Sequence, residues 1–511
     1  MMSNLKKGFL VGICLAAVLL TCDCAWSASK DTIVVAYGSE IGSLDQYKST
    51  RRPTINLGYL MWDPLVQRDA ETGEIQPHLA QSWKAVDPVT WEFKLAPGVK
   101  FHNGNPLTAE AVRFTVMDRI LDPDQKSPQA GNYKWIKDVE VIDDTTFRII
   151  SHSPYPLVLE RLNILFIYDP IETRGKGDAW VAENPTGSGP YKLVSWDRGR
   201  QLVMTANPDY WIEGIPKVKN IVYKIIPENS TRVAELLAGS IDVAGDMEAD
   251  QYEVISKARG IRALNVPILR INFWQFDSMG RAGKSPLMDK RVRQAVCMAI
   301  DRKAIVEHIM QGLAGHLDSP MNPLQFGYDP TIKETCGYNP EKAKALLEEA
   351  GYGDGITLDL WQYYGYQNYP NQAAMGFLEE VGIKVNLKDF RGNVSQVIKL
   401  RNAGKVTDIG NFVWGSYNIF DSDAILPAWF LRDSPMCYTD DPELHEWLTA
   451  ARQSIDPEER KQLYSRAQKK IMEEVYWMPF YVVHQIYGVK ENLNIVLGAD
   501  EVPRLQHAFW E

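Results

Sequence analysis

Cysteine is scarce in this 511-residue chain: there are six, and Cys14, Cys22 and Cys24 fall in its first two dozen positions. The other three, Cys297, Cys336 and Cys437, are odd in number and lack metal-type spacing, so the sequence offers neither a disulfide framework nor a zinc cluster. A Cys336–Cys437 bond stays open, and Cys297, within RQAVCMAID, reads as a small buried thiol on a helix. Basic excess is also missing. With 55 basic against 65 acidic residues, a net charge of -10 and no long basic run, the chain carries no electrostatic footprint for nucleic acid or anionic lipid. Beyond the N-terminus there is no long apolar run, which excludes a multi-pass membrane protein. Internal repeats and low-complexity tracts are absent as well. What remains, 45% apolar and 23% charged residues, is globular composition in a chain long enough for two or three cores.

The one long apolar run spans Phe9 to Leu20, behind Lys6 and Lys7 and ahead of Ala25-Trp26-Ser27-Ala28. It is too short to cross a bilayer core of about 30 Å as a helix. The pattern predicts an export signal over residues 1–27, cleaved before Ala28. A lipoprotein anchored at Cys22 is the alternative, although Thr21 is larger than the residue such a site prefers.

Downstream, DTIVVAYGSE predicts a strand. TWEFKLAPGVKFHNGNPLTAEAVRFTVMDRIL predicts strand, turn at Asn103-Gly104, strand, then a helix with Thr108 as N-cap. DVEVIDDTTFRIIS predicts a strand pair turned at Asp143-Asp144, so strands dominate residues 80–152. Beyond residue 285, helix and strand alternate. MDKRVRQAVCMAI puts Val292, Ala295, Val296, Ala299 and Ile300 on one face, Asp301 caps a following helix that stops at Gly312, and YNPEKAKALLEEAGY starts at Asn339-Pro340 and stops at Gly351. ITLDLWQY and IKVNLKDF predict strands around a helix at 371–381, and DPEERKQLYSRAQKKIMEEV starts at Asp456.

Catalytic motifs are mostly lacking. SMGRAGKS at 278–285 resembles a phosphate loop, but Ser278 replaces the first glycine and Pro286 delays the helix, which makes it a surface turn. TGSGPY lacks the spacing of a nucleophile elbow. The eight histidines are scattered, and His308 and His316 are separated by Gly312. No cofactor, metal or catalytic residue is expected. Aromatic density is the positive clue: WQYYGYQNYP holds Trp361, Tyr363, Tyr364, Tyr366 and Tyr369, and NFVWGSYNIFDSDAILPAWF adds Trp414, Tyr417, Phe420 and Trp429. Rings in glycine-punctuated loops line ligand clefts as well as cores.

LAPGVKFHNGNPLTAEAVRF, NPTGSGPYKLVSW with NPDYW behind it, VRQAVCMAIDRKAI and YNPEKAKALLEEAGY resemble, in order and spacing, the family 5 extracytoplasmic solute-binding proteins of ABC importers for peptides, nickel chelates and some oligosaccharides. The resemblance covers essentially the whole mature chain. It implies an α/β, two-lobed periplasmic-binding-protein type II (cluster C) fold with an extra strand-rich subdomain at about 65–190 and two hinge crossings. Lobe I would hold 28–266 and the return at 482–511; lobe II would hold 267–481. VPILRINFWQFD and PFYVVHQIYGVK would be the hinge strands.

It further implies a periplasmic, monomeric protein whose partners are a small-molecule or peptide ligand and an ABC permease with its ATPase subunits. By the same resemblance the ligand segment is Trp414, Gly415, Ser416 and Tyr417 with Asp421 and Asp423, to which Trp429 and Tyr364 add stacking surface. Tyr417 stands where peptide binders carry the aspartate for a free ammonium, and no arginine lies near GYQNYP to take a carboxylate. A charged terminus without a partner costs several kcal/mol to desolvate. A peptide-like solute, and a neutral, blocked or cationic one, both stay open. So does an exported glycosidase-like enzyme using Asp421 and Asp423, although nothing around them tunes an acid and a base.

Overall fold

A computed structural model describes residues 31–333, 335–415 and 418–511. The expected export signal, Ser416 and Tyr417 lie outside the described residues. The β-branched run Thr32–Tyr37 is a strand buried along its whole length, as its lack of alternation requires, and it pairs in parallel with Asn220–Ile225 and Val243–Met247.

One 11-stranded sheet runs through the molecule. From one edge it passes through Ile383–Asp389, Ile356–Gln362 and Ile409–Trp414 to two long antiparallel strands, Ile261–Phe276 and Trp477–Lys490. It continues through Val243–Met247, Thr32–Tyr37, Asn220–Ile225 and Gln201–Ala206 to Tyr191–Asp197, and the eleventh strand, Ala314–His316, pairs off this path with Trp477–Lys490. The two long strands change register between Pro267 and Ile271, opposite His484 and Val482. Pro267 has no N–H to give the ladder, so the pairing is interrupted there.

Three of the four buried apolar clusters divide on either side of that interruption; the fourth, around Val34, Leu236 and Ile486, also takes in Leu313. A first core gathers residues from Ile33 to Val243 together with Tyr487, Val489, Leu493, Leu505 and Ala508. Trp510 near the chain end donates its indole N–H to the Thr32 carbonyl at 3.2 Å. Two further clusters are built from residues between Ile271 and Val482. The strand-rich stretch forms its own antiparallel sheet, Ala80–Asp87, Thr90–Leu95, Thr146–Ser151 and Ile136–Val141. Its hairpin turns at Asp143, whose Oδ1 accepts from the N–H groups of Thr145 and Thr146, both at 2.8 Å.

The α/β half follows its caps: Asp301 accepts from Ala304 N at 2.9 Å, Asn339 from Lys342 N at 3.0 Å and Asp456 from Glu458 N at 2.8 Å, each worth about 1 kcal/mol. Two expectations are corrected. Thr108 occupies an N-cap position, but its hydroxyl makes no bond to the first turn. The second strand expected before it is a single bridge, Lys100 to Pro106, because Asn103 and Asn105 each turn aside to donate to Asp169 Oδ2 at 2.8 Å. Cys297, Cys336 and Cys437 are buried thiols, none in a disulfide. In SMGRAGKS, the Asp277 carboxylate takes the Arg281 and Ala282 N–H groups at 2.8 Å, donors that a phosphate would need.

The motifs behind the resemblance build scaffold. Asp63, buried between them, accepts from His78 Nε2, the Tyr210 hydroxyl and the Ser188 hydroxyl at 2.8 Å and from Trp211 Nε1 at 3.2 Å. This ties TGSGPY to NPDYW. Gly187 in the same motif lies against the Met61 carbonyl, where a Cβ would come within 2.0 Å. His102 of FHNGNP donates to the Gly189 carbonyl at 2.9 Å, and burial lowers its imidazole to about 4, leaving it neutral at pH 7.

Candidate solute-binding cleft

The strand Ile409–Trp414 belongs to the second half of the molecule, yet the chain leaving it enters the first. Gly415 is required at the exit, because a Cβ there would come within 2.6 Å of Arg270 Cγ. Asn418 then adopts a left-handed conformation, φ 67. Its side chain accepts from Arg52 Nη1 at 2.8 Å and donates to the Tyr59 hydroxyl at 2.9 Å, while its carbonyl accepts from Arg68 Nη2 at 3.1 Å. Phe420 donates its backbone N–H to Glu160 Oε2 at 2.8 Å and lies beneath the Arg68 guanidinium, 4.0 Å from ring centre. Glu160 closes the clasp with Arg68 Nη2 at 2.5 Å.

Beside this clasp lies a cleft of about 520 Å³ with walls from both halves. Gln129, Arg161 and Ile164 face Trp414, Asp423 and Leu431 across it. Asp423 is nearly fully buried and ion-paired with Arg452 Nε at 3.0 Å.

On the other side of Gly415, charges from three separate segments meet. Arg270 grips Glu501 with two donors, its Nε at 3.0 Å, and Arg52 Nη2 reaches the same carboxylate at 3.4 Å. Burial works against the Arg270 charge, but Glu501 more than compensates and raises its pKa. Tyr364 and Tyr366 stack on each other nearby, ring centres 5.2 Å apart and planes within 11°, and both act electrostatically on Arg270. Tyr366 and Asp246 both expose surface, yet burial pushes their pKa values up.

The residues expected from the sequence divide. Trp414, Gly415 and Asp423 line the cleft, whereas Tyr364 is outside its lining, stacked on Tyr366 near Arg270. Asp421 is spent on scaffold: it accepts from Arg460 Nη2 at 2.8 Å and caps Asp423 N at 2.9 Å, with burial pushing its carboxyl up to about 6 against the pull of Arg460. Trp429 is fully buried, edge-on to Phe273, Trp414 and Trp477 with Arg401 against its ring, so it has no free face for a solute. Arg52, Asp246, Arg270 and Glu501 were not anticipated. Arg270 had a signal, as the lone charge in the apolar run VPILRINFWQF. Gly415→Ala, by driving Arg270 off Glu501, is expected to cost about 1–3 kcal/mol in urea unfolding; an unchanged midpoint would show that Arg270 relocates freely.

Residues 74–435 match the family described as "Bacterial extracellular solute-binding proteins, family 5 Middle". The chain belongs to this family. It is a solute-binding protein with the periplasmic-binding-protein fold expected of it, of the kind that serves ABC importers. It is 27% identical over 496 residues to the glutathione-binding protein GsiB of Escherichia coli (strain K12), covering 94% of each chain. Its fold matches the periplasmic binding protein DppA of Helicobacter pylori in complex with peptide STSA (TM-score 0.78, 24% identity, 94% of this chain and 98% of that one). NikA of Brucella suis, in complex with Fe(III)-EDTA, matches with TM-score 0.84 at 22% identity, over 94% of this chain and 100% of that one. Among the described residues no helix is long and apolar enough to cross a membrane.

Proposed function

We propose that this family 5 protein is exported by a signal over residues 1–27 and works as a monomer. In this reading it captures a peptide-like solute between two lobes, 28–266 with 482–511 and 267–481, and hands it unchanged to an ABC permease. The subdomain at about 65–190 belongs to lobe I. The observation that carries the reading is the clasp, in which Asn418 and Phe420 leave one half of the chain and are held by Arg52, Tyr59, Arg68 and Glu160 of the other. The pairing break at Pro267–Ile271 gives the two crossing strands a place to bend. Peptide-derived ligands named for relatives, glutathione and STSA, support the solute class.

Small-angle scattering tests closure. Native mass spectrometry first identifies co-purified solute; adding it back to stripped protein at micromolar affinity, about -8 kcal/mol, is expected to shrink the radius of gyration. An open free form that binds tightly without contracting overturns the hinge. N-terminal sequencing of protein from the native envelope is expected to begin at Ala28, and an intact Met1 overturns the export assignment.

A further inference from the structure

Arg161, on the short helix Val158–Leu162, brings a positive charge of the first half into the lining of the cleft. Among the described residues only neutral groups hold it: Nε donates to the Tyr155 hydroxyl at 3.2 Å and Nη1 to Asn132 Oδ1 at 3.0 Å. The hold is several residues deep. Asn132 donates to Gln129 Oε1 at 2.7 Å, Gln129 donates to the Ser49 carbonyl at 2.8 Å, and Tyr155 stacks on Trp135 with ring centres 4.4 Å apart. A guanidinium fixed in this way is positioned before any solute arrives. Its third nitrogen, Nη2, has no partner among the described residues.

The charge is not answered at close range. Among the described residues no carboxylate is ion-paired with Arg161. Burial works against the guanidinium, and Tyr155 and Asp423 more than offset it and raise its pKa. Asp423, however, acts from a distance and is itself paired with Arg452 Nε at 3.0 Å. Asp433, the other carboxylate of the lining, is exposed, where water and salt screen it. Arg452, contributed by the second half, makes no other bond among the described residues. The rest of the lining is largely apolar, with Ile55, Ile164, Ile419, Leu431 and Trp414. A partly buried cation without a counter-ion is costly, and an anion brought by the solute removes that cost.

We propose that Arg161 receives a carboxylate of the solute, with Arg452 adding a donor from the second half, while the apolar lining takes the solute's body. The cleft thereby selects an acid with an apolar body and no charged amino group, the class of an N-acylated peptide acid. Asp423 is committed to Arg452 and Asp433 to solvent, so neither is left to neutralise an ammonium. A volume of about 520 Å³ suits a solute of that size. The inference rests on the solute-capture reading and narrows its solute.

The test uses the full-length protein, stripped of solute, and three forms of one equimolar tripeptide library with apolar side chains: N-acetylated acids, the same peptides N-acetylated and C-amidated, and free peptides. Retained peptides are read by mass spectrometry and affinities by calorimetry. The acetylated acids are expected to bind about 30-fold or more tightly than the acetylated amides, and at least as well as the free peptides. Arg161→Gln, which keeps a donor for Asn132, is expected to weaken binding of the acetylated acids about 30-fold or more and to leave the amides unchanged, a selectivity that general damage to the fold would not give. Arg161→Lys, which keeps the charge, is expected to restore part of the loss. If Arg161→Gln does not fold, the comparison of acids with amides on the unaltered protein decides. Equal retention of acids and amides, preference for free over acetylated peptides, undiminished binding of the acetylated acids by Arg161→Gln, or no retention of any acetylated acid overturns the proposal. Closure on a co-purified solute that carries no acid would then leave solute capture standing, whereas absence of any solute and of any contraction counts against capture itself.

Discussion

Asp63→Ala is expected to remove roughly 3–5 kcal/mol of folding free energy, a large fraction of the 5–15 kcal/mol that holds a domain together. The carboxylate is buried beneath four donors: His78, Tyr210, Ser188 and Trp211. Burial opposes its charge, but the bonds from His78, Tyr210 and Ser188 outweigh burial and hold its pKa below the ordinary value. Its contribution is therefore complete above the unfolded carboxylate value, about pH 4, and is lost as pH falls through the lower folded value. Asp63→Asn keeps the shape but confronts four donors with an amide, so most of the loss remains and the acid limb of the stability curve flattens. Urea unfolding followed by tryptophan fluorescence at pH 7, and between pH 5 and 3, reads both. A loss under about 1 kcal/mol at pH 7 would remove Asp63 from the centre of the scaffold.

Arg68→Met is expected to unfasten the clasp. The guanidinium is almost fully buried, pairs with Glu160, donates to the carbonyls of Gly73 and Asn418 and covers Phe420. Methionine keeps the apolar stem and removes every donor. Of these contacts only the bond to the Asn418 carbonyl and the packing on Phe420 join the two halves; a hydrogen bond from a charged donor and a cation–π contact together contribute about 3 kcal/mol, which is over a hundredfold in an equilibrium between closed and open forms. Scattering should show a larger radius of gyration, and stopped-flow dissociation of bound solute should accelerate by about two orders of magnitude. Identical scattering and dissociation in the variant would mean that the clasp does not govern opening.

Local signals were legible in the sequence and long-range ones were not. Asp301, Asn339 and Asp456 could be read as caps because a cap answers only to the next three residues. Thr108 had the same local grammar, but local grammar does not decide which way a hydroxyl turns. Asp421 and Asp423 were given a binding role by the resemblance of Asp421-Ser422-Asp423 to the family's acidic element. Arg460 and Arg452, on later helices, pair with them, and no sequence rule announces those partners; Asp423 still lines the cleft. Trp429 lies among Phe273, Phe412 and Trp477, rings drawn from three strands that only the sheet order brings together. The charges grouped around Arg270 share this obstacle: Arg52, Asp246, Arg270 and Glu501 come from separate stretches, and no spacing rule links them.

The return of the chain to its beginning has a consequence for how the protein is made. Trp510 bonds to Thr32 across 478 residues, and Leu505 and Ala508 pack beside strands laid down near the start. The first core therefore cannot be finished during synthesis, whereas the clusters between Ile271 and Val482 draw on one uninterrupted stretch and can condense without it. Closing so long a loop before its contacts give any return is slow. Completion falls to the last residues to arrive, and a chain ending before Glu501 would lack both the plug of the first core and the carboxylate shared by Arg52 and Arg270.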